Sequence, residues 1–258
     1  MAEVIADTGA VSWTTHLSAG VGPMEWELRY NRPAVDVTKF AAPVVFTTGI
    51  QNVYDWSATI RGVLAPAQIG STGLVTSSAG SPYLTNVKAW SINATCPAIE
   101  TTKFAVTAPV SRTFVAGLIS WDGTYLVSVD GTTALVAPGG TYTMLFRYFD
   151  AATDHTLAGD IYTTNMGPRA KVGELVEATY TFKGTGALTA AGSGTLTAPV
   201  FTAGALTIPA ATTLTLTAAT GRTYSGSAFW TRITVNCPVA DLVTIEMEAN
   251  GTGDLTFA

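Results

Sequence analysis

The side chains that most often perform catalysis or bind metals are few in this sequence of 258 residues. Its two histidines are His16 and His155, and its two cysteines are Cys96 and Cys237. Neither histidine lies in a cluster with metal-site spacing, and no nucleophile elbow, phosphate-binding loop or Cys-x-x-Cys motif is present. Two cysteines so far apart are interpreted as free buried thiols. We therefore predict that the chain is not an enzyme and has no cofactor and no metal.

Four short glycine motifs resemble ligand-binding loops. Gly184-Thr185-Gly186 lacks the Lys-Ser/Thr pair that follows a phosphate loop, and it recurs as Gly251-Thr252-Gly253 where no helix follows. Asp122-Gly123 and Asp130-Gly131 contain single carboxylates beside a glycine. Such pairs are typical of tight turns. We interpret all four motifs as turns rather than as phosphate or calcium sites.

Composition indicates a chain whose surface is covered by other protein. Charged residues make up 12% of the sequence, about half the share of an ordinary soluble domain, and the mean hydropathy is +0.32. No stretch approaches the ~18 consecutive apolar residues of a membrane-spanning helix, because Thr, Ser, Gly and Pro interrupt every one. We therefore favour association with copies of itself and expect no membrane partner. A monomer with a weakly charged surface is the alternative.

Net charge and the amino terminus narrow the class of protein further. A formal net charge of -5 and a pI near 4.9 argue against a basic surface that grips phosphates. The first ten residues, MAEVIADTGA, have neither the basic start nor the apolar run of a secretory signal. We expect synthesis in the cytoplasm.

Residue type and period predict an all-β fold with at most short helices. Thr, Val, Tyr, Phe and Trp cluster in short segments that Gly, Pro, Asn and Asp separate. Apolar residues alternate with Glu246 and Glu248 near the carboxyl terminus, and with Glu25 and Glu27 near the amino terminus. Because successive side chains of a strand point to opposite faces, each strand has one apolar face and one carboxylate-bearing face. The apolar positions are Trp26, Leu28, Tyr30, Val243, Ile245 and Met247.

The first of two internal repeats, element A, lies in the amino-terminal half of the chain. WELRYNRPAVDVTKF, from Trp26 to Phe40, aligns without a gap with WSINATCPAIETTKF, from Trp90 to Phe104. The spacing between these two copies is called the A offset below. A further tryptophan follows each copy, Trp56 after the first and Trp121 after the second. Element A is therefore present twice.

The second repeat, element B, lies in the carboxyl-terminal half. VGELVEATYTFKGTGALTAA, from Val172 to Ala191, aligns without a gap with VADLVTIEMEANGTGDLTFA, from Val239 to Ala258, and this spacing is called the B offset. The order along the chain is therefore A, A, B, B. Taken literally, this order places one unit, residues 71–191, inside another, residues 1–70 plus 192–258. A tandem duplication split near residue 130 is the alternative.

Motifs within both repeats point to a known family. Asp36–Gly62 contains DVTKF, then Phe-x-x-Gly-Ile, then YDWSATIRG, and Phe182–Thr189 reads FKGTGALT. In this order and in two copies, these motifs resemble the tail tube (major tail) proteins of long-tailed bacteriophages. The resemblance covers most of the chain. It departs from the family at Lys39 and Lys103, where a small residue is usual, and 132–160 has only general strand character.

The resemblance implies a structural protein of the virion, with two tail-tube-like β-sandwich or barrel units per chain. Strands of neighbouring copies would join into a ring around the DNA path, and rings would stack into the tail tube. Double-stranded DNA would pass through without specific binding, and other tail proteins would be partners. Because rings of this family commonly hold six domains, two units per chain predict a trimeric, pseudo-hexameric ring. A hexamer is the alternative.

Residues within the repeats are candidates for the core and for assembly contacts. They are Trp26, Phe40, Trp56, Trp90, Phe104, Trp121, Phe182, Gly184, Gly186, Gly251 and Gly253. Glu25, Glu27, Glu246 and Glu248 are candidates for the channel wall, because an acidic lumen does not hold DNA as a basic one would. The alternative is that these carboxylates face the outer solvent.

Other functions remain open at this point. A tail terminator or a capsid decoration protein would share the phage context. A β-sandwich adhesion module would share the repeated β structure, but we expect it to carry an export signal or a fused anchor.

Overall fold

The computed structural model describes residues 10–13, 25–31, 34–36, 49–51, 54–63, 69–70, 74–77, 82–84, 87–102, 111–129, 138–150, 153–192, 204–205, 208–219, 222–238 and 240–258. Within these ranges the chain is all-β, as predicted, and has no helix. In particular, none of these residues forms a helix long and apolar enough to cross a membrane.

The described residues form twenty strands. In chain order they are β1 (Ala10–Trp13), β2 (Glu25–Asn31), β3 (Ala34–Asp36), β4 (Gly49–Gln51), β5 (Asp55–Val63), β6 (Ile69–Gly70), β7 (Leu74–Ser77), β8 (Pro82–Leu84), β9 (Val87–Thr95), β10 (Ala98–Glu100), β11 (Phe114–Ala116), β12 (Ser120–Val129), β13 (Thr141–Asp150), β14 (Thr153–Arg169), β15 (Val176–Gly184), β16 (Thr189–Gly192), β17 (Gly204–Ala205), β18 (Thr212–Ala219), β19 (Arg222–Pro238) and β20 (Thr244–Phe257).

Most strands belong to one 16-stranded antiparallel sheet. Its main path is β2-β5-β20-β19-β9-β12-β15-β14-β13-β7-β8, and β1, β6, β16, β17 and β18 attach beside it. Two separate hairpins are formed by β3 with β4 and by β10 with β11. The described strands do not close into a barrel, so this part of the chain does not show the barrel form of the predicted units.

Two groups of four neighbouring strands in this sheet have the same construction. The outer half consists of β2-β5-β20-β19, and the inner half consists of β9-β12-β15-β14. They meet where β19 pairs with β9. This strand order is compatible with a nested arrangement of the two repeats, whereas the unit boundaries at residues 70 and 191 stay predictions.

Strand registers agree between the two halves. In the outer half Ala228 on β19 faces Gly251 on β20, and in the inner half Ile161 on β14 faces Gly184 on β15. Each inner residue precedes its outer equivalent by the B offset. The offset found in the sequence is therefore also the offset of the strand pairing.

The same irregularity interrupts both ladders a short distance further along. A register shift leaves one extra residue on each long strand, Thr231 on β19 and Thr164 on β14. The Thr231 hydroxyl donates to the Glu248 carbonyl at 3.3 Å, and the Thr164 hydroxyl donates to the Thr181 carbonyl at 3.0 Å. Because a bulge bends a strand locally, both halves bend at the same point.

The core lies on the apolar face of the sheet and is rich in aromatic rings. Trp90 stacks on Phe146 with ring centroids 5.1 Å apart, and Tyr125 stacks on Tyr180 at 4.8 Å. The predicted apolar residues Val243, Ile245 and Met247 are all buried. Their counterparts on β2 are less covered, because among the described strands β2 has a partner on one side only.

Two of the predicted turns are wrong. Asp122-Gly123 lies inside β12, and Gly251-Thr252-Gly253 lies inside β20. Glycine is required at position 123 because a Cβ atom there would lie 2.1 Å from the Ser91 carbonyl oxygen of the next strand. Close approach of neighbouring atoms, rather than a change of chain direction, explains that glycine. Asp130-Gly131 lies outside the described residues.

Candidate assembly interface

Two tryptophans occupy equivalent sites in the two halves. Trp56 on β5 donates its indole N–H to the Gly253 carbonyl at 3.2 Å, and Trp121 on β12 donates to the Gly186 carbonyl at 3.0 Å. Both accepting glycines have positive φ angles, 86° and 93°. Glycine adopts that conformation without the steric cost that a Cβ atom brings. The second glycine of each Gly-Thr-Gly motif therefore positions the carbonyl that accepts the indole N–H.

The first glycine of each motif leaves space for the indole ring. A Cβ atom at Gly251 would lie 2.0 Å from Cε2 of Trp56, and one at Gly184 would lie 1.9 Å from Cε2 of Trp121. A larger residue would force the ring or the strand to move. The Gly-Thr-Gly repeat therefore reflects one packing arrangement that the chain uses twice.

Sequence analysis missed two further glycines that complete these sites. A Cβ atom at Gly226 would lie 2.5 Å from Cζ2 of Trp56, and one at Gly159 would lie 2.7 Å from Cζ2 of Trp121. These two glycines are also separated by the B offset. A search for additional matches at that offset would have found them.

The other nominated residues have different positions. Trp90 and Phe182 are buried in the core, and Trp26 packs against the core from the edge strand β2. Phe40 and Phe104 lie outside the described residues. The structure thus brings together the tryptophan and glycine pairs but leaves Trp26 at the margin of the sheet.

All four carboxylates nominated for a channel wall lie on one face of the outer half, and all are at least partly exposed. Glu25 and Glu246 both face Arg61 across their strand pairs. Glu27 and Glu248 likewise share a single facing residue of β5. Since facing residues point to the same side of a sheet, the four carboxylates share a surface.

Arginine side chains neutralise three of these four carboxylates. The pairs are Arg29 with Glu27 at 3.0 Å, Arg61 with Glu246 at 2.8 Å and Arg232 with Glu248 at 3.5 Å. The hydrogen bond and negative charge of Glu246 raise the pKa of Arg61. The face therefore presents alternating charges rather than a uniform acidic surface.

The polar face continues from the outer half into the inner half. Within it the Thr234 hydroxyl donates to the Asn93 side-chain oxygen at 3.3 Å, and the Asn93 amide donates to Asp122 at 3.5 Å. These contacts belong to a transverse row of facing residues that crosses seven strands. The row consists of Glu25, Arg61, Glu246, Thr234, Asn93, Asp122 and Lys183. The described sheet thus has one polar and one apolar face across both halves.

A segment of the β10–β11 hairpin, just before and at the start of β11, covers the outer tryptophan site. The Arg112 amide donates to the Tyr54 carbonyl at 2.8 Å, and the Gly253 amide donates to the Arg112 carbonyl at 3.1 Å. The Arg112 guanidinium also lies 3.2 Å from the Asp55 carboxylate. The Phe114 amide donates to a threonine of the Gly-Thr-Gly motif at 3.1 Å. The β10–β11 hairpin of the inner half is thereby attached to the outer half.

A tyrosine–carboxylate hydrogen bond lies at the same contact. The Tyr54 hydroxyl donates to Asp254. Burial, followed by this hydrogen bond, raises the pKa of Tyr54 to about 12. Hydrogen bonds from Tyr54 and Ser111 lower the pKa of Asp254.

Acid is expected to weaken this contact through Asp254. Because its pKa is lowered in the folded chain, its contribution to stability is complete above the unfolded pKa of about 4 and is lost as pH falls through the lowered value. We expect the Tm difference between the wild-type chain and Asp254→Asn to be constant from about pH 7 to 5 and to shrink toward pH 2.

Thermal unfolding of the unassembled chain at stepped pH measures this difference. Tyr54→Phe removes the donor and should reduce the same pH-dependent part of the Tm difference. The double variant Tyr54→Phe/Asp254→Asn should therefore have a Tm close to that of either single variant. A Tm difference that is unchanged at low pH would contradict the assigned role of the carboxylate.

Both cysteines are buried thiols outside any disulfide, as predicted. The Cys96 thiol donates to the Gly117 carbonyl at 3.2 Å, and burial raises the pKa of that thiol. Among the described residues, no group of three or more His, Cys, Asp and Glu side chains is placed to hold a metal ion. His16 lies outside these residues.

Comparisons of the chain with protein-family models, with curated protein sequences and with solved structures gave no match.

Proposed function

We propose that this chain is a structural subunit that assembles with copies of itself into rings, and that these rings stack to form the tail tube of a long-tailed bacteriophage. The observation that carries the proposal is the open sheet built from two equivalent halves. The two halves join by strand pairing into an eight-strand region. At its two ends, β2 and the last residues of β14 have free edges among the described residues. An open edge of this kind accepts a further strand.

The two faces of the sheet support a ring around DNA. In the proposed tube the polar face, with Glu25, Glu27, Glu246 and Glu248, lines the channel, and the apolar face packs outward against the remaining strands. Because arginines pair with three of these carboxylates, the wall offers a duplex little net attraction. DNA therefore passes through without specific binding, and the tube conducts it to the host.

The proposal includes a ring of three chains, since each chain supplies two equivalent halves. Mass measurement of isolated rings tests this number, because one chain has a mass of 26.8 kDa. We expect a ring mass three times that of the single chain. A mass six times that of the single chain would contradict the trimeric ring and leave the tube function in place.

Electron microscopy of the purified chain tests the function itself. Long tubes are the expected result. Single rings that never stack would favour a tail terminator, and dispersed monomers at high concentration would favour a capsid decoration protein or an adhesion module. Either of these last two results would contradict the proposed tube.

A further inference from the structure

The eight-strand region formed by the two halves has a free strand edge at each end. At one end β2 pairs with β5 and with no other described strand. At the other end Asn165–Arg169 of β14 pairs with β15, while β13 and β16 occupy only the earlier part of β14. The far side of Asn165–Arg169 has no partner strand among the described residues.

The junction between the two halves shows how such edges pair. Arg232–Pro238 of β19 pairs antiparallel with Ala89–Thr95 of β9, so that Arg232 faces Thr95 and Pro238 faces Ala89. On β19 this stretch lies immediately after the extra residue of the bulge. Asn165 lies immediately after the equivalent bulge on β14.

Shifting the residues of this junction back by the repeat offsets gives their equivalents on the two free edges. Asn165–Lys171 precedes Arg232–Pro238 by the B offset, and Glu25–Asn31 precedes Ala89–Thr95 by the A offset. We propose that β2 of one copy pairs antiparallel with Asn165–Lys171 of the next copy, in the register of the internal junction. The proposal deepens the proposed function and rests on it, because it names the surface that joins one subunit to the next.

Charges at the proposed junction are complementary. In the transferred register Glu27 faces Arg169 and Glu25 faces Lys171. All four side chains are exposed in the single chain. Opposite charges on facing residues stabilise a strand pair, whereas like charges destabilise it. The two free edges of the eight-strand region are therefore suited to each other rather than to themselves.

A second contact follows from the same transfer. The β10–β11 hairpin is attached to the outer tryptophan site, whereas the described residues leave the equivalent inner site as an open groove beside Trp121 and Gly186. Leu118 in this groove is 82% exposed and Ile208 is 53% exposed. The β3–β4 hairpin is the outer equivalent of β10–β11. The copy that supplies β2 therefore also supplies β3–β4 to cover this groove.

One backbone hydrogen bond of the internal junction has no equivalent in the proposed junction between copies. The Cys96 amide donates to the Thr231 carbonyl at 2.7 Å, so by strand alternation Val235 also directs its backbone groups toward β9. Its equivalent is Pro168, which has no amide hydrogen. The junction between copies therefore has one hydrogen bond fewer than the internal junction, and a proline on a free edge also limits unspecific strand pairing.

Charge reversal tests the register in the full chain. Glu25→Lys/Glu27→Lys and Arg169→Glu/Lys171→Glu each place like charges at both rungs, so each is expected to lose ring formation. The quadruple variant restores opposite charges and should regain it. Lys183→Gln removes a cation on the same face but inside the sheet, so it is the control and should assemble as the wild type does. Loss of assembly in the quadruple variant, with folding intact by circular dichroism, would overturn the inference.

Disulfide trapping gives an independent measurement. Glu27→Cys/Arg169→Cys should form a cross-link between copies under mild oxidation, since the two native cysteines are buried. Glu27→Cys/Lys183→Cys should not. Cross-linking by Glu27→Cys alone would indicate pairing of β2 with β2 and would overturn the proposed junction.

Mixing the two charge-reversed variants tests whether a ring holds an odd or an even number of chains. Each variant carries one sign of charge on both edges, so copies must alternate around a closed ring. Alternation is impossible in a ring of three, and the mixture should then remain unassembled while the quadruple variant forms rings. Rings in the mixture would support the complementary edges and contradict the number three.

Failure of this inference differs from failure of the proposed function. If the wild-type chain forms tubes but the reversed and cross-linking variants behave as the wild type does, the register is wrong and the function stands. If the wild-type chain forms no assembly at all, the proposed function fails.

Discussion

Trp121→Ala is expected to lower the free energy of unfolding by about 3–5 kcal/mol, the usual cost of removing a large buried aromatic side chain. Trp121 is 5% exposed and donates its indole N–H to Gly186. Trp56 is 2% exposed in the equivalent outer site, so Trp56→Ala should have a similar cost. Urea unfolding of the unassembled chain, followed by intrinsic fluorescence and circular dichroism, measures both.

Gly184→Ala provides a control, because its effect on stability is expected to change when Trp121 is absent. Gly184→Ala alone should cost about 1–3 kcal/mol, because the added methyl group overlaps the ring of Trp121. In the Trp121→Ala chain the same methyl group enters vacated space, so its cost should vanish or reverse. A double-mutant cycle measures this coupling. Additive effects would contradict the packing that the structure gives to this pair.

Two further variants calibrate the size of these effects. Trp26→Ala should cost less than Trp121→Ala, because Trp26 lies half-buried on the edge strand β2. Gly167→Ala should change stability little, since its Cβ atom would meet only the Thr179 carbonyl oxygen at 3.8 Å. A cost at Gly167 as large as that at Gly184 would indicate a general sensitivity to glycine replacement rather than contact with the indole.

Glu246→Lys/Glu248→Lys is expected to make the assembled tube hold duplex DNA. In the wild-type chain these carboxylates neutralise Arg61 and Arg232. Their reversal leaves four cationic side chains together on the face proposed to line the channel. Affinity should then depend steeply on salt, falling by about 10³–10⁵ between 50 and 200 mM if 6–10 phosphates are contacted.

Binding of labelled duplex to preassembled tubes across a salt series measures the effect, and the rate of DNA ejection from virions measures its consequence. Glu246→Gln/Glu248→Gln removes the carboxylates without adding lysines and should show a smaller increase. Asp241→Lys adds a lysine on an exposed loop and should leave both measurements unchanged. Equal DNA binding by Asp241→Lys and the double lysine variant would contradict the placement of this face in the channel.

Much of the β structure followed from local pattern. Alternation of Ile245 and Met247 with Glu246 and Glu248 predicted which side chains of β20 are buried, because period two assigns residues to faces without knowledge of neighbouring strands. The same pattern did not predict how exposed Tyr30 is, at 43%. Exposure of a side chain at the sheet margin depends on whether another strand lies beside it.

Glycine was the residue that local pattern interpreted least well. Gly123 and Gly251 were assigned to turns but lie in strands, because the atoms they must avoid belong to other strands. For Gly251 those atoms belong to Trp56, which lies in the opposite half of the sequence. A contact across such a distance leaves no signal in the residues next to the glycine.

The sequence by itself determined the all-β class, the two repeats and their offsets, since these depend on residue type and order alone. Only the tertiary structure decided which strands are neighbours, that each tryptophan requires two glycines on other strands, and that arginines pair with the nominated carboxylates. The physical reason is that strand pairing and side-chain packing join residues distant in sequence. The catalytic and metal-binding residues that were scarce in the sequence thus gave less information than the repeated glycines and tryptophans.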